Sequence, residues 1–386
     1  MSIIITTLIF VVTIPSVAID ILLPALPEMA TFFEADIPQL QFLLSSYTFI
    51  ISTFAILYGP LIDRFGRKKM ALVGLSIFSI GSLMLFIATS INGLYIARII
   101  QAIGGAFSTP FASSYVNDLF SKKQAREVNL KVAMGFGIAP IIGPLIGVAS
   151  IYLFGWKGPF LIMFIFSIIT LLLVKFSLVE TLKTPIPINL SNLIQNGSSY
   201  FRNKLFILYG VILALVFTSI FSFISFSPFI IINELGSDKF TYSIIFGLIA
   251  FQIILSAIWA NTIISRHGIH RFFQNTIIML CLLILFIFVV SMIGYNVYNF
   301  SAIQLILTFI TGCYFSLART SAIAEFPESA GFASSIFTLI SIGIPTILVS
   351  LISLIYQDIN TYISVLLICL ILLIITIYTI LKTETD

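Results

Sequence analysis

Apolar runs of about 20 residues, separated by short polar or charged links, recur from one end of this sequence to the other. Twelve can be counted, centred near Val11, Ile50, Ile80, Ala106, Ile142, Ile165, Phe217, Ile253, Ile284, Ile306, Ile342 and Ile371. Each is long enough for a helix across a bilayer's hydrocarbon core, which takes roughly 20 residues. Helices are expected because backbone polar groups in lipid must be satisfied within their own segment. The alternating pattern of outer-membrane barrel strands is absent. The pattern predicts an all-α polytopic membrane protein with twelve transmembrane helices.

The longest hydrophilic interruption runs from Glu180 to Lys204 and holds Pro185, Pro187 and several Asn and Ser residues. It lacks sustained apolar periodicity and reads as a linker. The expected organisation is a six-helix half over 1–179, a cytoplasmic linker over 180–204 and a second six-helix half over 205–386. Two such halves, each with nested inverted three-helix repeats, are the plan of one large group of transporters.

Composition agrees with a lipid environment. The chain is 59% apolar and 9% charged, with a mean hydropathy of +1.15, whereas a soluble domain averages about 25% charged residues. Of its 19 Lys and Arg residues, only Lys157 and Lys239 fall on the outer side when the N-terminus is placed inside, and Arg98 lies within a span. This positive-inside bias puts both termini in the cytoplasm of a bacterial inner-membrane protein. The net charge of +4 therefore reflects topology and gives no support to a nucleic-acid partner. The first apolar run has no basic leader and no small-residue cleavage site, so Ile3 to about Leu26 reads as a first span. Cys281, Cys313 and Cys369 lie within spans and imply neither a disulfide framework nor a metal site. His267 and His270 share a cytoplasmic loop without carboxylate or thiol neighbours. No metal or cofactor is expected.

Gly59-Pro60-Leu61-Ile62-Asp63-Arg64-Phe65-Gly66-Arg67-Lys68-Lys69 lies in the link between spans 2 and 3. One glycine there would let helices approach, the second would permit a tight turn, and the basic cluster would hold the loop at the inner surface. The run resembles the G-x-L-x-D-R-x-G-R-K/R loop of the major facilitator superfamily. Further runs are similar to its Bcr/CflA drug-resistance branch: Asp20-Ile21-Leu22-Leu23-Pro24-Ala25-Leu26-Pro27, Arg98-Ile99-Ile100-Gln101-Ala102-Ile103-Gly104, Val116-Asn117-Asp118, Gly143-Pro144-Leu145-Ile146-Gly147, Trp156 and Glu180-Thr181-Leu182. The likeness thins in the second half to Ser227-Pro228-Phe229 and Ala330-Gly331-Phe332-Ala333-Ser334. Leu22 stands where that branch has tyrosine, Val148 replaces a final glycine, and Arg266-His267-Gly268 is a degenerate copy of the first loop. The resemblance implies a proton-driven exporter of small amphipathic compounds such as antibiotics, working by alternating access.

Ionisable groups deep in a membrane mark function by default. Two are deep here, Asp20 in span 1 and Arg98 in span 4. Both lie about 10 Å below the outer surface at ~1.5 Å per residue, so they are expected to meet across a central cavity and couple proton movement. The plainer alternatives are a helix-end carboxylate and a guanidinium brace on backbone carbonyls of span 1 or 5. Gln101, one turn from Arg98, can bond substrate or Arg98 itself, and Tyr47, Phe221, Phe251 and Tyr314 are candidate cavity residues or simple packing. In span 5, Gly135, Ala139, Gly143 and Gly147 recur every four residues with Pro140 and Pro144 between them. That spacing alone means close helix packing; the resemblance adds an antiporter seal between the halves. Gly59, Asp63, Arg64, Gly66, Arg67 and Asp118 are expected to form a cytoplasmic latch.

The alternative within the same fold is a carrier of an endogenous metabolite, such as a sugar or siderophore. A membrane enzyme would need paired carboxylates or His/Asp clusters beside a span, and none occurs. The expected partners are a small-molecule substrate, protons and the bilayer, and a monomer is expected to suffice.

Overall fold

The computed structural model of the protein describes residues 2–182, 200, 202–326 and 336–385. Most of the linker expected over 180–204, and the run Ala330 to Ser334, lie outside the described residues. Among the described residues every regular element is helical. The chain divides into two compact units, Met1–Asn189 and Leu190–Asp386.

The first unit contains α1 (Ser2–Asp20), a 3-10 turn (Leu23–Ala25), α2 (Leu26–Phe33), α3 (Ile37–Phe65), α4 (Arg67–Ile87), α5 (Ile91–Gly105), α6 (Ser108–Leu119), α7 (Lys122–Phe154) and α8 (Gly158–Ser177). The second contains α9 (Lys204–Pro228), a π-helical turn (Phe229–Glu234), α10 (Lys239–Ile293), α11 (Val297–Gly312), α12 (Tyr314–Ala324), a π-helical turn (Leu339–Gly343), α13 (Ile344–Ser353) and α14 (Ile359–Thr385). Nine stretches of the described residues are long and apolar enough to cross a membrane. Two of them are double: Gly137–Ser177 is broken at Gly155, and Lys239–Ile293 at Gly268. Span 4 is divided instead between α5 and α6, each too short alone. The nine stretches are thus consistent with twelve spans.

Polar residues at the ends decide where the helices start. Asp36 with Gln39, Ser121 with Gln124 and Asn296 with Asn299 form reciprocal capping boxes. Ser90 accepts from Gly93 N at 3.2 Å and Asp238 from Phe240 N at 2.9 Å. Each cap satisfies amide groups that a helix cannot pair within itself. At Gly268 the backbone takes φ 82° and ψ 167°, a conformation an L side chain rarely adopts, and this separates the two spans of α10.

The first unit's core is Leu8, Val11, Val12 and Ile14 of α1 packed with Leu75, Phe78, Phe107, Phe111 and Met163. Elsewhere large apolar side chains such as Ile80, Ile87, Phe176, Ile293 and Ile375 stand exposed. With lipid as solvent this costs nothing. Small residues let helices touch: a Cβ on Gly81 or Gly104 would run into the backbone of Gln101 or Phe78, which locks α4 against α5.

Candidate functional site

The buried polar centre of the first unit begins with an interruption of α1. Continued α-helix would bond Leu22 N to Ala18 O, but Leu22 N bonds Ile19 O instead, at 3.3 Å. Pro24 has no N–H to offer the carbonyl of Asp20. The carbonyl of Ala18 is therefore released from the helical ladder, and Arg98 of α5 takes it, Nη2 donating at 3.0 Å. Arg98 Nη1 donates to Gln101 Oε1 at 2.6 Å, and Gln101 Nε2 passes the chain on to Ser82 Oγ at 2.9 Å. The guanidinium lies 3.9 Å from the ring centroid of Tyr47, whose hydroxyl donates to Pro15 O at 3.0 Å. Arg98, Gln101 and Tyr47 are all 0% exposed. A cation can persist in so dry a place because carbonyl, amide and aromatic face replace its hydration.

Asp20 is 5% exposed, and it makes no ion pair with Arg98. The guanidinium bonds Ala18 O and Gln101 and lies over the Tyr47 ring, and Asp20 packs against Gly143 of α7. A Cβ on Gly143 would stand 2.9 Å from the Asp20 Cβ. Arg98 does brace span 1 through a backbone carbonyl, as the plainer alternative held.

The small residues of α7 follow the same line. A Cβ on Gly135 would meet Thr13 Oγ1 at 2.5 Å, and one on Gly147 would collide with the carbonyl of Ile21. Ala139 and Pro144 are buried on the same helix. The face that the four-residue spacing predicts is seated on α1, within the first unit, and its central glycine makes room for the buried carboxylate.

At the other end of the unit, Arg67 Nε donates to Asp118 Oδ2 at 2.9 Å, and its Nη1 is also paired with Asp63 Oδ1. Arg67 is buried, whereas the carboxylates stay partly exposed. Glu180 completes the cluster and was not among the expected latch residues. Its carboxylate accepts from Arg67 N at 2.8 Å, Lys68 N at 3.1 Å and Lys69 N at 3.4 Å, which caps α4. Thr181 Oγ1 donates to Asp118 Oδ2 at 2.9 Å. Gly66 has φ 106°, and a Cβ there would stand 2.6 Å from Glu180 Oε2, so both torsion and space require glycine. The signal for Glu180 was the Glu-Thr-Leu run directly after span 6, but nothing local shows that it folds back on α4. A Cβ on Gly59 meets nothing within 4 Å among the described residues. Arg64 stays exposed, its guanidinium 5.3 Å from the Phe65 ring.

The chain matches the Major Facilitator Superfamily over residues 8–350. It belongs to that superfamily. Among curated relatives, the bicyclomycin resistance protein homolog of Haemophilus influenzae is 23% identical over 366 residues, covering 92% of this chain and 91% of that protein. Multidrug resistance protein D of Escherichia coli is 26% identical, covering 85% of this chain and 83% of its own length. Multidrug resistance protein MdtL of Vibrio parahaemolyticus is 28% identical, with 83% and 80% covered. A crystal structure of a peptide transporter, POT, in complex with sulfate aligns with a TM-score of 0.80 over 99% of this chain and 94% of that one, at 13% identity. It shares the fold. The chain is therefore a multi-pass membrane protein of a transporter superfamily, and relatives bearing bicyclomycin and multidrug resistance names align over most of its length.

Among the described residues, the buried polar side chains of this superfamily member's second unit are neutral. Tyr314 is buried and its hydroxyl pairs with Thr276 Oγ1 at 2.5 Å, its ring against Phe272 and Phe273. Phe221 is buried and stacked on Phe217 at 5.8 Å, whereas Phe251 stands exposed. Tyr362 OH donates to Gln304 Oε1 at 3.1 Å. Among the described residues no cluster of three or more His, Cys, Asp or Glu side chains could hold a metal ion.

Proposed function

We propose that this protein exports small, neutral or zwitterionic amphipathic compounds from the cytoplasm across the inner membrane, each cycle drawing one proton inward. The observation that carries this reading is Asp20, a carboxyl group buried in a membrane-spanning helix without an ion-pair partner. A carboxyl group placed there can take up a proton from one side and hand it to the other as access alternates. Arg98, fixed two residues away along α1 by the Ala18 carbonyl, moves with the element that carries Asp20. The protein is taken to work as a monomer, with both termini cytoplasmic.

Arg67, Asp63, Asp118 and Glu180 act as the inner-side latch. Charge-assisted hydrogen bonds of this kind contribute about 1.5–3 kcal/mol when protected and less where exposed. That is enough to bias a balanced pair of conformations. Small antibiotics suit the reading because relatives bearing bicyclomycin and multidrug resistance names align over most of this chain.

The energetics set the substrate charge. A proton moving inward supplies about 2.3 kcal/mol per 100 mV and about 1.4 kcal/mol per pH unit. Exporting a cation would cancel the electrical part, so neutral substrates gain more from the potential than cations do. The test is uptake into inside-out proteoliposomes holding the purified protein, with an imposed potential and no pH gradient. Accumulation of a neutral amphenicol that an uncoupler abolishes is the expected result. Indifference to the potential, or preference for permanent cations, overturns it.

A further inference from the structure

Arg98 stands eight residues after the cap Ser90 on α5, and Gln304 stands eight residues after the cap Asn296 on α11. Both are about 12 Å along their helices at ~1.5 Å per residue, and both are fully buried. Their surroundings differ. Arg98 has a carbonyl, an amide and a ring, with only its Nε left without a partner among the described residues. Gln304 is neutral; it has Tyr362 of α14 on its Oε1, and its Nε2 has no partner among the described residues. A buried amide left half-paired costs about 1–3 kcal/mol, and a leucine of similar volume would avoid that cost.

Two neighbouring features share this character. The Tyr362 ring packs on Phe300 at 5.8 Å and on Phe226 of α9 at 6.4 Å. One turn before Phe226, on the same face of α9, Ser222 is 2% exposed and its hydroxyl has no partner either. Serine in a membrane helix ordinarily bonds the carbonyl four residues back, as Ser219 does to Leu215 at 3.0 Å. Ser222 does not. The region thus carries unspent hydrogen-bonding capacity beside packed aromatic rings, and these residues bear no formal charge.

We infer that Gln304, held by Tyr362 and accompanied by Ser222, is a hydrogen-bonding subsite for a neutral polar group of the transported molecule: a carbonyl, amide or hydroxyl. This rests on the transport reading above and adds the chemistry of recognition. A site that hydrogen-bonds its ligand through buried groups rejects analogues lacking the matching group far better than an apolar pocket does. The second unit then selects by neutral hydrogen bonding, apart from the buried charges of the first.

The experiment measures equilibrium binding to the purified full chain in lipid nanodiscs, with two probes. Chloramphenicol is neutral and carries an amide and hydroxyls; tetraphenylphosphonium is a cation with no hydrogen-bonding group. Gln304→Leu should weaken chloramphenicol binding at least tenfold and Ser222→Ala about threefold, with any tetraphenylphosphonium binding unchanged. The thermal midpoint of Gln304→Leu should be equal to or above that of the parent protein, because an unpaired donor has been removed. Should Gln304→Leu fail to fold, Ser222→Ala and Tyr362→Phe carry the same comparison. An unchanged chloramphenicol Kd in the folded variants, or a lowered midpoint alone, as expected if a trapped water were the missing partner, overturns the subsite. So does a folded parent protein that binds no chloramphenicol. Binding that depends on Gln304 in a protein unable to accumulate the compound would sink the export reading and leave the subsite standing.

Discussion

The two units solve the same problem with different materials. Eight residues into α5, the first buries a cation and surrounds it with Ala18 O, Gln101 and Tyr47. At the matching position of α11 the second buries the neutral Gln304. The loops between spans 2 and 3 and between spans 8 and 9 diverge likewise. Arg67 is buried among Asp63, Asp118 and Glu180, whereas Arg266 and Arg271, beside the corresponding break at Gly268, are exposed and make no ion pair among the described residues. Charge in low dielectric is expensive and responds strongly to a neighbouring proton or water. On the proposed function, energy coupling would fall to the first unit and neutral ligand contacts to the second.

Removing the proton carrier should break this asymmetry most completely. Asp20→Asn is expected to abolish uphill export while membrane insertion persists, since the amide keeps the shape beside Gly143. Accumulation against a gradient by the Asn variant, measured in proteoliposomes, would locate the coupling elsewhere. Arg98→Gln makes the first unit resemble the second, and it strips Ala18 O of its donor. Transport should fall by more than tenfold, and Arg98→Lys should recover little, because one ammonium cannot reproduce the planar fork and ring contact.

Packing offers a third test, at the level of stability. Gly147→Val forces a side chain into the backbone of Ile21 and should cost about 1–3 kcal/mol, read as a lowered thermal midpoint. Gly59→Ala, with open space around it, should leave the midpoint within a degree or two. Equal effects of the two would mean that the α1–α7 contact is not the close approach described here.

The latch should give a smaller, kinetic effect. Arg67→Ala is expected to reduce maximal turnover about five- to tenfold with little change in KM, because the latch sets conformational populations. The reversal Arg67→Asp with Asp118→Arg should restore part of the loss. The smallest change is expected from Arg266→Ala, within twofold in every parameter; a loss equal to that of Arg67→Ala would show that the loops are not asymmetric after all.

Much of this was legible in one dimension because the bilayer imposes a length and a polarity on each span. The apolar runs, the basic inner links and the loop from Gly59 to Lys69 follow from local rules, and so does the prominence of Asp20, Arg98, Arg67 and Asp118. What the tertiary structure decided lies in contacts between residues far apart in the chain. Periodicity could place Gly135, Gly143 and Gly147 on one face, but only packing shows α1 against it. Asp20 and Arg98 share a depth, yet it is the released carbonyl of Ala18 that takes the guanidinium. Glu180 reaches back 113 residues to cap α4. Hydropathy acts through solvent on each segment separately, whereas hydrogen bonds need two atoms within about 3 Å, and which pairs meet is known only once the helices have packed.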